Sequence, residues 1–296
     1  MLLKAMSDKI YGLIPRSSRV ERIATGFRFT EGPVWEHKSS SLLFSDILGN
    51  TIYRWTASGT VIVERCPSQM SNGLALDELG NVFACEHAGR QISIGKPGEE
   101  GKTLVNTYDG KKLNSPNDVV IKSDGSIYFT DPTYGLTADF GVLAEQELTL
   151  QGLYRVMPDG QLTLLMDDFV QPNGLAFSPD ESKLYVDDSA RQHVRLFDVQ
   201  KDGTISNDQI FAQLDVDQGE GVADGLKVDA LGNIFVTGPG GINIFDPSGT
   251  LLGVLPLPET PANLAWGGED GKTLFMTAQT SVYRIRTTVP GAVVLR

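Results

Sequence analysis

The chain has 296 residues, 41% of them hydrophobic, and a formal net charge of −12. That balance argues against nucleic acid and anionic membrane surfaces as partners, because phosphate binding needs clustered cations; it is compatible with binding a cation. Two lone cysteines, Cys66 and Cys85, form no CxxC pair or disulfide framework, so a reducing compartment, by default the cytoplasm, is expected.

The opening stretch, "MLLKAMSDKIYGLIPRSSRV", lacks the long apolar centre of a signal peptide. No run reaches the ~18 apolar residues of a membrane helix. Residues 1–18 read as an N-terminal extension of a single domain over 1–296. Beyond them, short β-branched or aromatic runs alternate with Gly, Asp, Asn and Pro, the pattern of an all-β protein. One phrase then recurs six times: "EGPVWEHKSSSLLFSDI" from Glu31, "NGLALDELGNVFACEH" from Asn72, "NDVVIKSDGSIYFTDP" from Asn117, "NGLAFSPDESKLYVDD" from Asn173, "DGLKVDALGNIFVTGP" from Asp224 and "NLAWGGEDGKTLFMTA" from Asn263. Each runs polar start, apolar run, polar turn, apolar run. Hairpins such as "NTIYRWTASGTVIVE" and "QGLYRVMPDGQLTLLMD" lie between them. About four antiparallel strands per 40–50-residue unit is the signature of a β-propeller blade, so six units predict a six-bladed β-propeller. Only three strands fit after Asn263. "RVERIATGF" near the N-terminus is expected to close the last blade and remove an exposed edge. "TYGLTADFGVLAEQELTL" reads as an insertion carrying a short helix or a lid.

In a propeller the first strand of each blade lines the central channel, and the six phrase starts face one mouth. Glu31, Asn72, Asn117, Asn173, Asp224 and Asn263 are all acids or amides. Oxygens converging on one axis describe a hard-cation site, since calcium takes six to eight oxygen ligands at roughly 2.3–2.6 Å. The competing reading is turn chemistry, because Asn-Gly and Asp-Gly before a strand are common turns. Glu31 is a poor turn former and Asn117 precedes Asp rather than Gly, which favours the ring. The "DELGN", "SDGS" and "DALGN" segments are expected to be structural turns at the opposite mouth.

The three histidines, His37, His87 and His193, form no zinc motif. His87 in "CEHAGR" and Asp131 with Tyr134 in "FTDPTYG" follow second strands returning to the mouth, where a substrate pocket or a solvated loop is expected. No GxSxG occurs.

"TEGPVW", "SPNDVVIKSDGSIYFTDP", "QPNGLAFSPD" and "ADGLKVDALGNIFV" occur in an order that resembles the SMP-30/gluconolactonase/LRE-like family, over about Arg22 to Arg286. The likeness is greatest to its bacterial gluconolactonase branch. It implies a six-bladed propeller with one divalent cation in the channel, calcium first, with zinc, manganese and magnesium as alternatives. By the same resemblance Glu31, Asn173 and Asp224 are metal ligands, Asp224 is also the catalytic base or nucleophile, and Asn117 ligates the metal or contacts substrate. Asn72 and Asn263 lie near the site, with Asn72, Asn117, His87, Asp131 and Tyr134 as the expected substrate-binding set. An arginine that precedes the Asn117 position in one branch is absent here, replaced by Ser115-Pro116. The implied activity is a metal-dependent hydrolase opening a sugar lactone or a related small-molecule lactone, with the cation polarising the carbonyl and Asp224 or its water attacking. Phosphotriester or fluorophosphate hydrolysis at the same site, and a non-enzymatic binding propeller with a structural cation, are the alternatives. Fold alone does not decide among them.

Overall fold

The computed structural model describes residues 2–292. Six antiparallel sheets form a ring, a six-bladed β-propeller. From the channel outward, blade 1 is Thr30–Glu36, Ser41–Asp46, Thr51–Thr56 and Val61–Arg65. Blade 2 runs Ser71–Leu76, Val82–Glu86, Gln91–Gly95 and Lys102–Val105. Blade 3 is Val119–Ile121, Ile127–Asp131, Gln151–Val156 and Leu162–Phe169. Blade 4 comprises Pro172–Phe177, Lys183–Asp188, His193–Val199 and Ile205–Gln213. Blade 5 is Leu226–Val228, Ile234–Gly238, Gly241–Phe245 and Leu251–Leu255. Blade 6 is Pro261–Gly267, Thr273–Ala278 and Ser281–Arg286, closed by Glu21–Thr25.

The inner strands are apolar almost throughout because each blade stacks on a neighbour at both faces. Every residue of Ser41–Asp46, Val82–Glu86 and Ile234–Gly238 is buried. The outermost strands Val61–Arg65 and Lys102–Val105 are half-buried or exposed. The hydrophobic clusters accordingly span adjacent blades. Trp35, Leu42, Phe44 and Trp55 of blade 1 pack on Phe275 and Val282 of blade 6. Ala176, Tyr185 and Val194 of blade 4 pack on Leu226, Ile234 and Val236 of blade 5. Each fully buried aliphatic or aromatic side chain contributes about 1.5–3 kcal/mol.

Two details were not expected. Lys4–Ala5 adds a fifth strand to blade 5, antiparallel to Leu251–Leu255. The 3-10 helix Asp8–Gly12 that follows buries Ile10, and with Leu13 and Ile14 it plugs the core between blades 5 and 6. Residues 4–14 thus pair with blade 5 and pack against blade 6.

The second concerns the phrase starts. They are not turns. Glu31-Gly32, Asn72-Gly73 and Asn173-Gly174 lie within strands, where the pairing register slips between Glu31 and Val34, Ser71 and Leu74, and Pro172 and Leu175. Such bulges re-aim side chains. In blades 3 and 5 regular pairing starts at Val119 and Leu226, directly after Asn117-Asp118 and Asp224-Gly225. The glycines answer a spatial need. A Cβ on Gly174 would stand 2.1 Å from the Asp224 carbonyl oxygen, and one on Gly73 2.6 Å from that of Asn117. Their N–H groups donate to those same carbonyls, at 2.9 and 2.8 Å. Second-strand hydroxyls add further staples: Ser45 Oγ donates to Asn72 O at 2.7 Å, Thr130 Oγ1 to Asn173 O at 2.7 Å and Thr237 Oγ1 to Ala262 O at 3.0 Å.

Candidate functional site

The bulged strand starts bring Glu31, Asn72, Asn117, Asn173 and Asn263 to the channel as buried side chains, with Asp224 half-buried beside them. Glu31 Oε2 accepts from Gly32 N–H at 2.5 Å and from Asn263 Nδ2 at 3.0 Å. Burial pushes the Glu31 carboxyl up to about 7. Burial, and then the nearby Glu31 and Asp118 carboxylates, hold Asp224 well above the usual carboxylate range. Two acids forced this close, with the Lys227 ammonium only partly offsetting them, resist joint ionisation.

The amides show what is missing from the ring. Asn173 Nδ2 donates to Ser189 Oγ at 3.0 Å, and Ser189 Oγ donates on to Ala223 O at 2.5 Å. Asn173 Oδ1 is buried with no partner, as is Asn72 Oδ1. Asp187 was not anticipated. It is fully buried and neither carboxylate oxygen makes a hydrogen bond; the facing Gly174 N–H is committed to Asp224 O. Burial and then Asp224 raise its pKa well above normal. A buried polar atom without a partner costs about 1–3 kcal/mol. The orphaned oxygens of Asn173 and Asp187, beside two crowded acids, fit a divalent cation, which satisfies both deficits. Among the described residues no three His, Cys, Asp or Glu side chains converge as a metal cluster; the oxygens gathered here belong to carboxylates and amides. An ammonium stands at this place: Lys227 Nζ donates to Asp118 Oδ2 at 3.1 Å, Leu226 O at 2.9 Å and Asn263 Oδ1 at 3.4 Å.

The expected substrate set divides. Tyr134 opens a 3-10 turn, Tyr134–Leu136, at the start of the insertion. Its phenol is pushed up to about 12, first by burial and then by the Asp224, Asp187 and Asp188 carboxylates against a hydrogen bond with Ser189. Asp131 does something else. It is fully buried, and its two oxygens accept the backbone N–H groups of Asn114 and Ser115, both at 2.8 Å. With both oxygens so used it fixes the segment entering Asn117 rather than facing substrate. His87 is also buried: Nδ1 lies 2.7 Å from Phe140 O and Nε2 3.3 Å from Asn72 Nδ2. The insertion lies over the mouth, with the Phe140 ring 5.1 Å from Phe29 and Arg90 paired to Glu147 at 3.0 Å. His37 is exposed in a turn, and His193 sits in the third strand of blade 4.

This ring can be compared with known proteins. The sequence model of the SMP-30/gluconolactonase/LRE-like region matches residues 29–280. The chain belongs to the SMP-30/gluconolactonase/LRE-like family. Within this family it is similar to the gluconolactonase of Zymomonas mobilis, 35% identical over 302 residues, which cover 95% of this chain and 85% of the relative. A solved gluconolactonase of Xanthomonas campestris superposes with a TM-score of 0.90 at 32% identity, over 97% of this chain and 95% of that one. A regucalcin of Agrobacterium tumefaciens, a calcium-binding protein, shares the fold, with a TM-score of 0.76 at 20% identity over 91% and 94% of the two chains. Among the described residues no helix is long and apolar enough to cross a membrane.

Proposed function

We propose that this protein is a lactone hydrolase of the gluconolactonase kind, working with a divalent cation at the ring, calcium first. The observation that carries the reading is the pairing of Glu31 and Asp224 with the orphaned amide oxygen of Asn173 at the channel mouth. The full-length likeness to two gluconolactonases supports the substrate class. Glu31, Asn173 and Asp224 would hold the cation, and Asn117, at the neighbouring ring position, would hold it or a water beside it. The chemistry such a cation supplies is polarisation of the lactone carbonyl and stabilisation of the oxyanion.

The chain's own groups do the rest. Asp224, kept ionised by a positive partner, takes the proton of the attacking water or attacks directly. Asn173 is locked by Ser189, which fixes the direction of its Oδ1. Tyr134, neutral at physiological pH, offers its hydroxyl to the substrate from the insertion. Asp131 and Asp118 hold backbone and the Lys227 ammonium in place. The insertion reaches the ring through Phe140 O on His87.

A pH-indicator assay decides the matter. Metal-depleted protein should be inactive on a lactone panel, and resupplied calcium should restore turnover. Full activity after chelation, or undiminished activity in folded Asp224→Ala, overturns the proposal. Loss of fold rather than turnover on chelation would instead mark a binding propeller with a structural ion.

A further inference from the structure

The contact between His87 and Asn72 carries an inference about substrate choice, and it rests on the lactonase reading above. His87 Nδ1 lies 2.7 Å from the Phe140 carbonyl oxygen. A carbonyl only accepts, so Nδ1 carries the proton. Burial keeps the ring neutral, its pKa drawn down to about 4. A neutral imidazole protonated at Nδ1 offers Nε2 only as an acceptor. The Asn72 atom 3.3 Å away is therefore the amide nitrogen, and the amide cannot exchange its ends. Asn72 Oδ1 is left buried and without a donor, at the ring position between Glu31 and Asn117. Phe140 belongs to the insertion, which is anchored by its ring contact with Phe29 and by Glu147 on Arg90.

We propose that the insertion sets substrate choice through His87: Phe140 O fixes the imidazole tautomer, the imidazole fixes the Asn72 amide, and Asn72 Oδ1 accepts a hydrogen bond from a hydroxyl of a polyhydroxylated lactone. His87 is a positioning residue in this scheme, and Asn72 is the substrate contact. The neighbouring glycine supports a fixed geometry, since a Cβ on Gly135 would stand 2.6 Å from His87 Cγ. The insertion and the ring therefore meet with no slack.

The test compares glucono-δ-lactone with unsubstituted δ-valerolactone on Asn72→Ala, His87→Phe and the double variant. Asn72→Ala should lose about tenfold in kcat/KM on the hydroxylated lactone, mostly through KM, the worth of one good hydrogen bond. The loss on δ-valerolactone should be much smaller. His87→Phe should show most of the same selective loss, and the double variant should be no worse than Asn72→Ala. Losses that multiply, or that are equal on both lactones, overturn the proposal; equal losses would assign Oδ1 to water on the cation or to folding. Should His87→Phe not fold, long-range 1H–15N correlation on the wild-type imidazole decides. It should show the Nδ1–H tautomer, the minor one in water, and an Nε2–H ring refutes the relay. A protein that opens no lactone at all would fail the lactonase reading, while the tautomer measurement still judges the relay.

Discussion

The two ends of the propeller use the same side chains to opposite effect. At the far mouth Asp77 Oδ1 accepts Asn81 N–H at 2.7 Å and its Oδ2 accepts Asn81 Nδ2 at 2.6 Å. Asp229 does the same with Asn233, at 2.9 and 2.7 Å. Hydrogen bonds from Ser178 to Asp180, and from Ser248 to Asp246, hold those two carboxyls below their ordinary range, while Asp229, raised by burial, still has its oxygens paired. At the ring, burial drives Glu31, Asp187 and Asp224 upward, and amide oxygens go unpaired. Acids and amides alone therefore do not mark a site. Unspent hydrogen-bonding capacity does.

The sharpest way to break that comparison is one isosteric change made at each end. Asp224→Asn should lower turnover by about 10²–10⁴-fold with the fold intact, the usual worth of a positioned acid–base group. Asp77→Asn should leave turnover alone and cost about 1 kcal/mol of stability, one hydrogen bond. Lactone kinetics with denaturant unfolding read both, and comparable loss of kcat in the two variants would abolish the distinction. Next in size is added calcium. At a hundredfold excess over its Kd it should stabilise the wild type by about 2.7 kcal/mol. Differential scanning calorimetry should show that gain kept in Asp77→Asn and largely lost in Glu31→Gln. The glycines sharpen the contrast again. Gly174→Ala places a methyl 2.1 Å from Asp224 O and should cost about 1–3 kcal/mol through overpacking, with a drop in activity. Gly160 lies in an outer turn at φ +89 with nothing within 4 Å, so its alanine variant pays only backbone strain of about 1–2 kcal/mol and keeps full activity. The smallest effect is expected from Thr237→Val. It removes the 3.0 Å staple to Ala262 O and should cost about 0.5–1.5 kcal/mol in urea unfolding.

Most of the architecture was legible in the sequence because a propeller repeats. Six copies of one phrase reveal the blades, and three leftover strands at the end require a fourth from the start. The candidate ring was visible for the same reason, as a column of polar residues in register. What repetition hides is whatever happens once. Asp187 falls where the other second strands carry Ser45, Cys85, Thr130, Thr237 and Thr277. Aligning that column as well would have singled out the lone acid. Lys227 is likewise a single charge in a strand start, and its partner Asp118 lies 109 residues away, beyond any local pattern. A polar residue at the end of a second strand, such as Asp131, looks the same in sequence whether it faces substrate or seals a backbone; its two N–H donors show the second role. The Lys4–Ala5 strand was missed because two residues carry no periodicity, and its pairing partner is Val254 and Gly253.

The closure of blade 6 has a consequence for how the ring comes into being. Thr25 and its partner Ser281 are 256 positions apart, joined through their hydroxyls at 2.9 Å. Contacts this distant in sequence form late, since a long loop must close before they repay its entropy. The strand Glu21–Thr25 must therefore stay unpaired until nearly all the intervening blades exist, and the same holds for Lys4–Ala5 awaiting blade 5. During that interval two strand-forming segments wait without partners, which makes assembly, more than the finished form, the stage most exposed to aggregation.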